Sequence, residues 1–272
     1  MESEIGPEIL SRHATYLEQI LQVATPVAEF LRHESSNFNR AAIEFKGVHN
    51  LVSYVDRTSE EMLVAGLSRL IPDAGFLTEE GTVENKERPL MWVIDPLDGT
   101  TNFAHGLPFF SISVGLLLNG APLLGLVWEP IRDERFTAAA GKGCRLNGQP
   151  IRVNETAQMH HALLATGFPY EEYSRVDDYL PVLKQLMTES RGVRRLGSAA
   201  LDLAYVACGR FDGYYEYNLS PWDVAAGVLL VAEAGGRVSD FHGGNNYIFG
   251  RQIVAAAPEL HPQLLSRLEA LR

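Results

Sequence analysis

The sequence predicts an α/β protein. Residues 1–157 form an α+β half, residues 158–272 alternate strands and helices, and the two share one compact unit. Three observations point there. Apolar residues recur at helical spacing near the N-terminus. Short apolar segments punctuated by Asn-Gly turns follow, the mark of antiparallel hairpins. After about residue 158, strand-like and helix-like stretches alternate to the end.

In order along the chain, Leu10, Tyr16, Leu17, Ile20, Leu21, Val27 and Leu31 predict a helix with a kink at Pro26. Lys46 to Ser53 reads as a short hairpin. A second helix is predicted from Asp56 to about Leu70, ending before Ile71-Pro72. Leu90 to Ile94 is an apolar strand. Ser111 to Leu118 and Leu123 to Trp128 form a hairpin about Asn119-Gly120, and Arg135 to Ala139 with the Asn147-Gly148 turn continues the pattern. Strands are then expected at Ala162–Thr166, Val193–Leu196, Phe211–Tyr217 and Ile253–Ala256. Helices are expected at Val176–Met187, Ser198–Cys208, Asp223–Ala234 and Pro258–Leu271.

At 272 residues, 46% hydrophobic and 21% charged, the chain has ample apolar surface for a core. A formal net charge of -11 argues against an extended nucleic-acid surface. Two cysteines, Cys144 and Cys208, give no metal-type spacing and need no disulfide, so free thiols in a reducing cytoplasm are expected. The acidic start, Met1-Glu2-Ser3-Glu4, does not resemble a signal peptide, and no apolar run is long enough for a membrane span.

The chemistry concentrates in carboxylates. Asp95 and Asp98 end the strand at Leu90, separated by Pro96-Leu97. Glu79 sits upstream beside Glu80, and Asp223 follows Trp222 at the start of a helix. Hard divalent cations take such oxygen donors, and Mg²⁺ commonly sits between a few carboxylates and a substrate phosphate. Gly99 allows close backbone approach, and Thr100 and Thr101 supply hydroxyls beside the free N–H groups of a helix start. Each feature alone has an ordinary reading: Asp-Pro-x-Asp-Gly-Thr as a turn with an N-cap, Glu79-Glu80 as a solvated pair, Asp223 as an N-cap.

Together the residues resemble the inositol monophosphatase family. Trp92-Val93-Ile94-Asp95-Pro96-Leu97-Asp98-Gly99-Thr100-Thr101-Asn102-Phe103 is similar to its first signature. Pro221-Trp222-Asp223-Val224-Ala225-Ala226-Gly227, with Glu233-Ala234-Gly235-Gly236, is similar to its second. Thr78 to Gly81, Asn50 to Asp56 and Leu196 to Ala204 fit further blocks, so the resemblance covers roughly residues 40 to 257.

The resemblance implies a layered αβαβα sandwich, a homodimer, Mg²⁺ as cofactor (two or three per site) and Li⁺ inhibition. It implies that Glu79, Asp95 and the Leu97 carbonyl hold one Mg²⁺, that Asp95, Asp98 and Asp223 hold a second, and that a looser third lies near Glu79. Thr100 and Asp56, with Glu79, form the catalytic set around a metal-bound water. Asp98, Gly99, Thr100 and Thr101 meet phosphate, and Gly197, Ala199, Glu216 and Asp223 face substrate hydroxyls. The implied reaction is in-line attack of that water on a small phosphate monoester.

Thr101-Asn102-Phe103 after the Asp-Gly-Thr is similar to inositol monophosphatases rather than to histidinol phosphatases or nucleotide 3′-phosphatases, and the chain is short for a fructose-1,6-bisphosphatase, so the resemblance implies inositol-1-phosphate ahead of histidinol phosphate, fructose-1,6-bisphosphate or adenosine 3′,5′-bisphosphate. A catalytically idle regulatory protein on the same fold is the alternative of another class. Other residues carry less. His105 reads as a loop residue, His160-His161 as surface and Cys208 as core. Lys46 is a candidate basic neighbour of phosphate. Arg194-Arg195 either reaches a subunit contact or the site, or forms a structural ion pair. Phe168 stands where animal relatives place a small polar residue.

Overall fold

In the computed structural model, which describes residues 2–38, 44–45, 51–84, 88–168 and 173–271, the N-terminal apolar stripe becomes α2 (His13–Asn37). It follows a short α1 (Glu2–Ser11) and buries Ile20, Ala24, Val27, Ala28 and Leu31. The helix runs on through Pro26, because the buried residues on both sides tie it to the core and tertiary packing outweighs one lost backbone bond. β1 (Glu44–Phe45) and β2 (Leu51–Val52) pair antiparallel; of the hairpin expected over Lys46–Ser53, residues 46–50 lie outside the described residues.

α3 (Tyr54–Leu70) starts two residues earlier than expected. Ser53 caps it, accepting from the Val55 amide, while Asp56 reaches back to the Ser53 amide in a capping box.

The first sheet has seven strands in the order β3-β4-β5-β6-β7-β8-β9. These are β3 (Gly75–Thr78), β4 (Leu90–Asp98), β5 (Ser111–Leu118), β6 (Ala121–Glu129), β7 (Glu134–Ala139), β8 (Cys144–Leu146) and β9 (Gln149–Ile151). β3 was not expected from the sequence; it is four residues long and lies parallel to β4. After β4 comes the short helix α4 (Thr100–Ala104).

The second sheet, in the order β11-β10-β12-β14-β13, is mixed. Its members are β10 (Leu163–Thr166), β11 (Gly192–Arg194), β12 (Gly213–Tyr217), β13 (Arg237–Ser239) and β14 (Gln252–Ala256). β13 is a three-residue edge strand that the sequence pattern does not disclose. β11 ends at Arg194 rather than Leu196, because Gly197 turns with φ +89° and the Leu196 carbonyl accepts from Asn102 instead of a strand.

The helices of this half are α5 (Val176–Glu189), α6 (Ala199–Ala207), α7 (Pro221–Glu233) and α8 (His261–Arg267). The predicted C-terminal helix is thus split. Pro262 sets the start of α8, and its last turn tightens at Leu268 before a separate 3₁₀ turn, Glu269–Leu271.

The order of layers is α2 and α3, first sheet, α6 and α7, second sheet, α5 and α8: the αβαβα sandwich. Three apolar clusters fill the four interfaces: one with Trp92, Leu63 and Leu67 under α3, one with Tyr214 and Leu203 that covers both faces of the α6 and α7 layer, and one with Tyr215 and Leu264 under α8. The central layer lies close to the first sheet because Gly115 and Gly125 pair across β5 and β6. A Cβ on either would stand 3.2 Å from Ala225 Cβ or 3.0 Å from the Ala226 carbonyl of α7. Among the described residues, no helix is long and apolar enough to cross a membrane.

Candidate active site

A cavity of about 270 Å³ opens where the first sheet meets α6 and α7. Four elements aim side chains into it. β3 and β4 are parallel neighbours, so Glu79, just past the end of β3, stands beside Asp95; the Glu79 amide donates to the Ile94 carbonyl at 3.3 Å. α7 begins at the same point and contributes Asp223, whose Oδ2 accepts from the Ser220 amide at 2.7 Å. β12 supplies Glu216.

Asp95 and Asp98 share the cavity because β4 is irregular. In an uninterrupted strand, residues i and i+3 face opposite sides of the sheet. Here Asp95 pairs with Ser113 and Asp98 with Ser111, so three steps on β4 match two on β5. The extra residue falls at Pro96-Leu97, where proline has no amide to give to a ladder. The bulge turns Asp98 to the side of Asp95, and the Leu97 amide donates to Asp95 Oδ1 at 2.9 Å.

Gly99 follows with φ +98°, in the left-handed region. A Cβ there would lie 3.1 Å from the Phe109 carbonyl and 3.2 Å from that of Gly197. That turn starts α4 and brings Thr100 back over Leu97. The Thr100 hydroxyl lies 3.0 Å from Asp56 Oδ1 and 3.1 Å from the Leu97 carbonyl. Its single proton serves one of these acceptors at a time. Asp56 itself is buried behind Thr100, with Oδ2 accepting from the Ser53 amide and hydroxyl at 2.8 Å each.

The charges are crowded. Burial first, then the negative charges of Glu79, Asp98 and Asp223, holds the Asp95 carboxyl well above the usual range. Burial and the charges of Asp98 and Glu79 do the same to Asp223. Burial pushes Asp98 up to about 6, opposed by hydrogen bonds from Ser198, Ala200 and Ala199 and by the Arg195 charge. Burial pushes Glu216 up to about 7, opposed by its bond from the Tyr214 hydroxyl at 2.5 Å. Burial also raises Asp56, against hydrogen bonds from Ser53 and Thr100.

Among the described residues, no three His, Cys, Asp or Glu side chains stand closed in metal-ligand geometry. The donor set nonetheless fits a hard cation: four carboxylates and the Leu97 carbonyl line one wall, all oxygen, with like charges that a divalent ion would relieve.

Gly99, Thr100, Thr101, Gly197 and Ala199 line the same cavity, so it gathers every predicted site residue except Asp56, which touches it through Thr100.

A sequence model described as Inositol monophosphatase family matches residues 13–272. The chain belongs to the inositol monophosphatase family. A family relative, Nus factor SuhB of Pasteurella multocida, is 42% identical over 225 residues, 82% of this chain and 84% of that protein. The extragenic suppressor protein suhB from Bartonella henselae superposes with a TM-score of 0.88 at 37% identity, covering 94% of this chain and 98% of that one. The inositol monophosphatase from Anabaena gives 0.83 at 38%, covering 94% and 96%.

Several residues of this family member escape a reading of motifs alone. Ser198 donates its hydroxyl to Asp98 Oδ2 at 2.6 Å, and the Ala200 amide donates to the same oxygen at 2.8 Å. Glu60, on α3, holds the loop after Glu79. Tyr214, two residues before Glu216 and on the same face of β12, fixes that carboxyl. Of the two arginines left open, Arg195 lines the cavity, with its guanidinium 5.8 Å from the Phe168 ring; Arg194 is exposed and donates to the Val193 carbonyl. Phe168 is 45% exposed and packs edge-on against Tyr179. His105, His160 and His161 are exposed. Cys208 is a correction: it ends α6 and is only half-buried, whereas Cys144 is in the core.

Proposed function

We propose that this family member hydrolyses small phosphate monoesters with Mg²⁺, and that inositol-1-phosphate is its first substrate. The observation that carries this reading is the convergence of Glu79, Asp95, Asp98, Asp223 and the Leu97 carbonyl on one cavity beside Thr100. Glu79, Asp95 and Leu97 are the residues to hold one cation, Asp95, Asp98 and Asp223 a second, with a looser third near Glu79. When bound, Mg²⁺ supplies charge neutralisation, a more acidic water and a stabilised leaving oxygen.

The chain's own residues do the rest. Thr100 donates its hydroxyl hydrogen bond to ionised Asp56, which leaves its oxygen lone pairs turned to the cavity to accept from the attacking water and relay that water's proton to Asp56. Asp56 serves best ionised, and its contacts with Ser53 and Thr100 oppose the effect of burial. Gly99, Thr100 and Thr101 bound the phosphate position. Gly197, Ala199, Glu216 and Asp223 face the alcohol, where a carboxyl near neutrality can accept or donate to a hydroxyl. Homodimerisation, inhibition by Li⁺ and a cytoplasmic location belong to the same proposal.

The test is phosphate release with Mg²⁺ from inositol-1-phosphate, histidinol phosphate, fructose-1,6-bisphosphate and adenosine 3′,5′-bisphosphate. Preference for inositol-1-phosphate supports the substrate, and preference for any other replaces it. The name Nus factor SuhB among its relatives favours a second reading, a regulatory protein on the same fold. No release from any monoester with Mg²⁺ would select that reading.

A further inference from the structure

Glu60 is a carboxylate with no exposure to solvent, no ion pair to a cation among the described residues and no place in the reaction above. Burying an ionised carboxylate is costly unless its lone pairs are filled. Three donors fill them, and all come from one loop. The Glu80 amide donates to Oε2 at 2.7 Å, and the Thr82 amide and hydroxyl both donate to Oε1 at 2.7 Å. That loop continues directly from Glu79.

The placement of Glu60 on α3 gives these bonds their meaning. It lies one helical turn beyond Asp56, on the same face, between buried Val55, Leu63 and Leu67. Asp56 holds Thr100 on one side of the cavity. Glu60 holds the Glu79 loop on the other. One rigid helix therefore fixes the distance between the hydroxyl that meets water and a carboxylate that meets the cation. Charge-assisted bonds to backbone amides are short and directional, so they set the path of the loop and with it the position of Glu79.

We propose that Glu60 is a positioning residue for the loop carrying Glu79 and thereby sets the affinity of the site for its divalent cation. This rests on the metal-dependent reading above.

The experiment measures Mg²⁺ binding by calorimetry without substrate, and amide exchange at Glu80 and Thr82, in the full chain. Glu60→Gln keeps the shape but sets an amide NH₂ against an N–H donor. It is expected to weaken Mg²⁺ binding about 10-fold or more and to speed exchange at both amides. Thr82→Ala, which removes only the hydroxyl donor, is expected to move both readouts the same way by less. Glu61→Gln, an exposed neighbour with the same charge change, leaves both unchanged. Leu67→Ala lowers thermal stability and leaves Mg²⁺ affinity unchanged, which separates positioning from general loosening.

Wild-type Mg²⁺ affinity in folded Glu60→Gln would overturn the proposal. Should that variant not fold, unchanged affinity and exchange in Thr82→Ala overturn it. Absence of Mg²⁺ binding in the wild type overturns the metal reading first and this inference with it. Mg²⁺ binding without phosphatase activity overturns the function alone.

Discussion

Thr100 and Asp56 stand 44 positions apart in the chain, yet the Thr100 hydroxyl lies 3.0 Å from Asp56 Oδ1. One residue begins α4 and the other lies in the first turn of α3, so the contact ties a helix start to a helix start. Thr100→Ala is expected to lower kcat about 100-fold or more, the usual scale for a lost proton acceptor, while leaving Mg²⁺ affinity in place. Asp56→Asn should lower kcat in the same way. Steady-state kinetics with calorimetry checks both, and wild-type kcat in either variant removes that residue from the mechanism.

Ser198 supports Asp98 from behind while capping α6. Ser198→Ala is expected to cost about 1 kcal/mol or more of stability, the cap contribution, and to weaken Mg²⁺ binding because Asp98 loses a charge-assisted bond. Thermal melting with and without Mg²⁺ reads both effects. A variant that melts lower but gains as much from Mg²⁺ as the wild type would limit Ser198 to the helix.

Gly167 lies against the Glu216 carboxylate so closely that a Cβ there would fall 1.9 Å from the carboxyl carbon. Gly167→Ala must displace Glu216. The expected result, with Glu216 facing the alcohol as proposed, is a raised KM with a smaller change in kcat. An unchanged KM would take Glu216 out of substrate recognition.

Glu216 also gives the fold a pH dependence. Its folded pKa of about 7 lies above that of the unfolded chain, because burial favours the neutral acid. A carboxyl shifted upward contributes stability that is fully present below the unfolded pKa and lost as pH rises through the folded one. The loss is on the order of 3 kcal/mol by pH 8. Glu216→Gln removes that loss. With EDTA present, melting of the variant should exceed wild type at pH 8 and match or fall below it at pH 5. An equal difference at both pH values would contradict the shift.

Much of this was legible in the sequence, for physical reasons that can be named. Long apolar periodicity marked α2, α3, α5 and α6, and the Asn-Gly turns marked the hairpins of the first sheet, because both signals are local. The ordered motifs led to Asp95, Asp98, Glu79, Asp223 and Glu216, which lie in one cavity. The bulge at Pro96-Leu97 was not legible, since regular alternation would have placed Asp95 and Asp98 on opposite faces. β3 and β13 are too short for a periodic signal and exist through their neighbours. Glu60 had a faint signature, a charged residue on the apolar face of α3, but its three partners belong to a loop twenty residues away. Tertiary contacts decide such residues.

The central claim is that the carboxylates around Asp95 hold Mg²⁺ for phosphate ester hydrolysis. The direct measurement is phosphate release from inositol-1-phosphate as a function of Mg²⁺, for wild type and Asp95→Asn, with circular dichroism to show that both are folded. The account predicts saturable, Mg²⁺-dependent release by the wild type and its near abolition in the folded variant. Full activity in Asp95→Asn, or release by the wild type that ignores Mg²⁺, would contradict it.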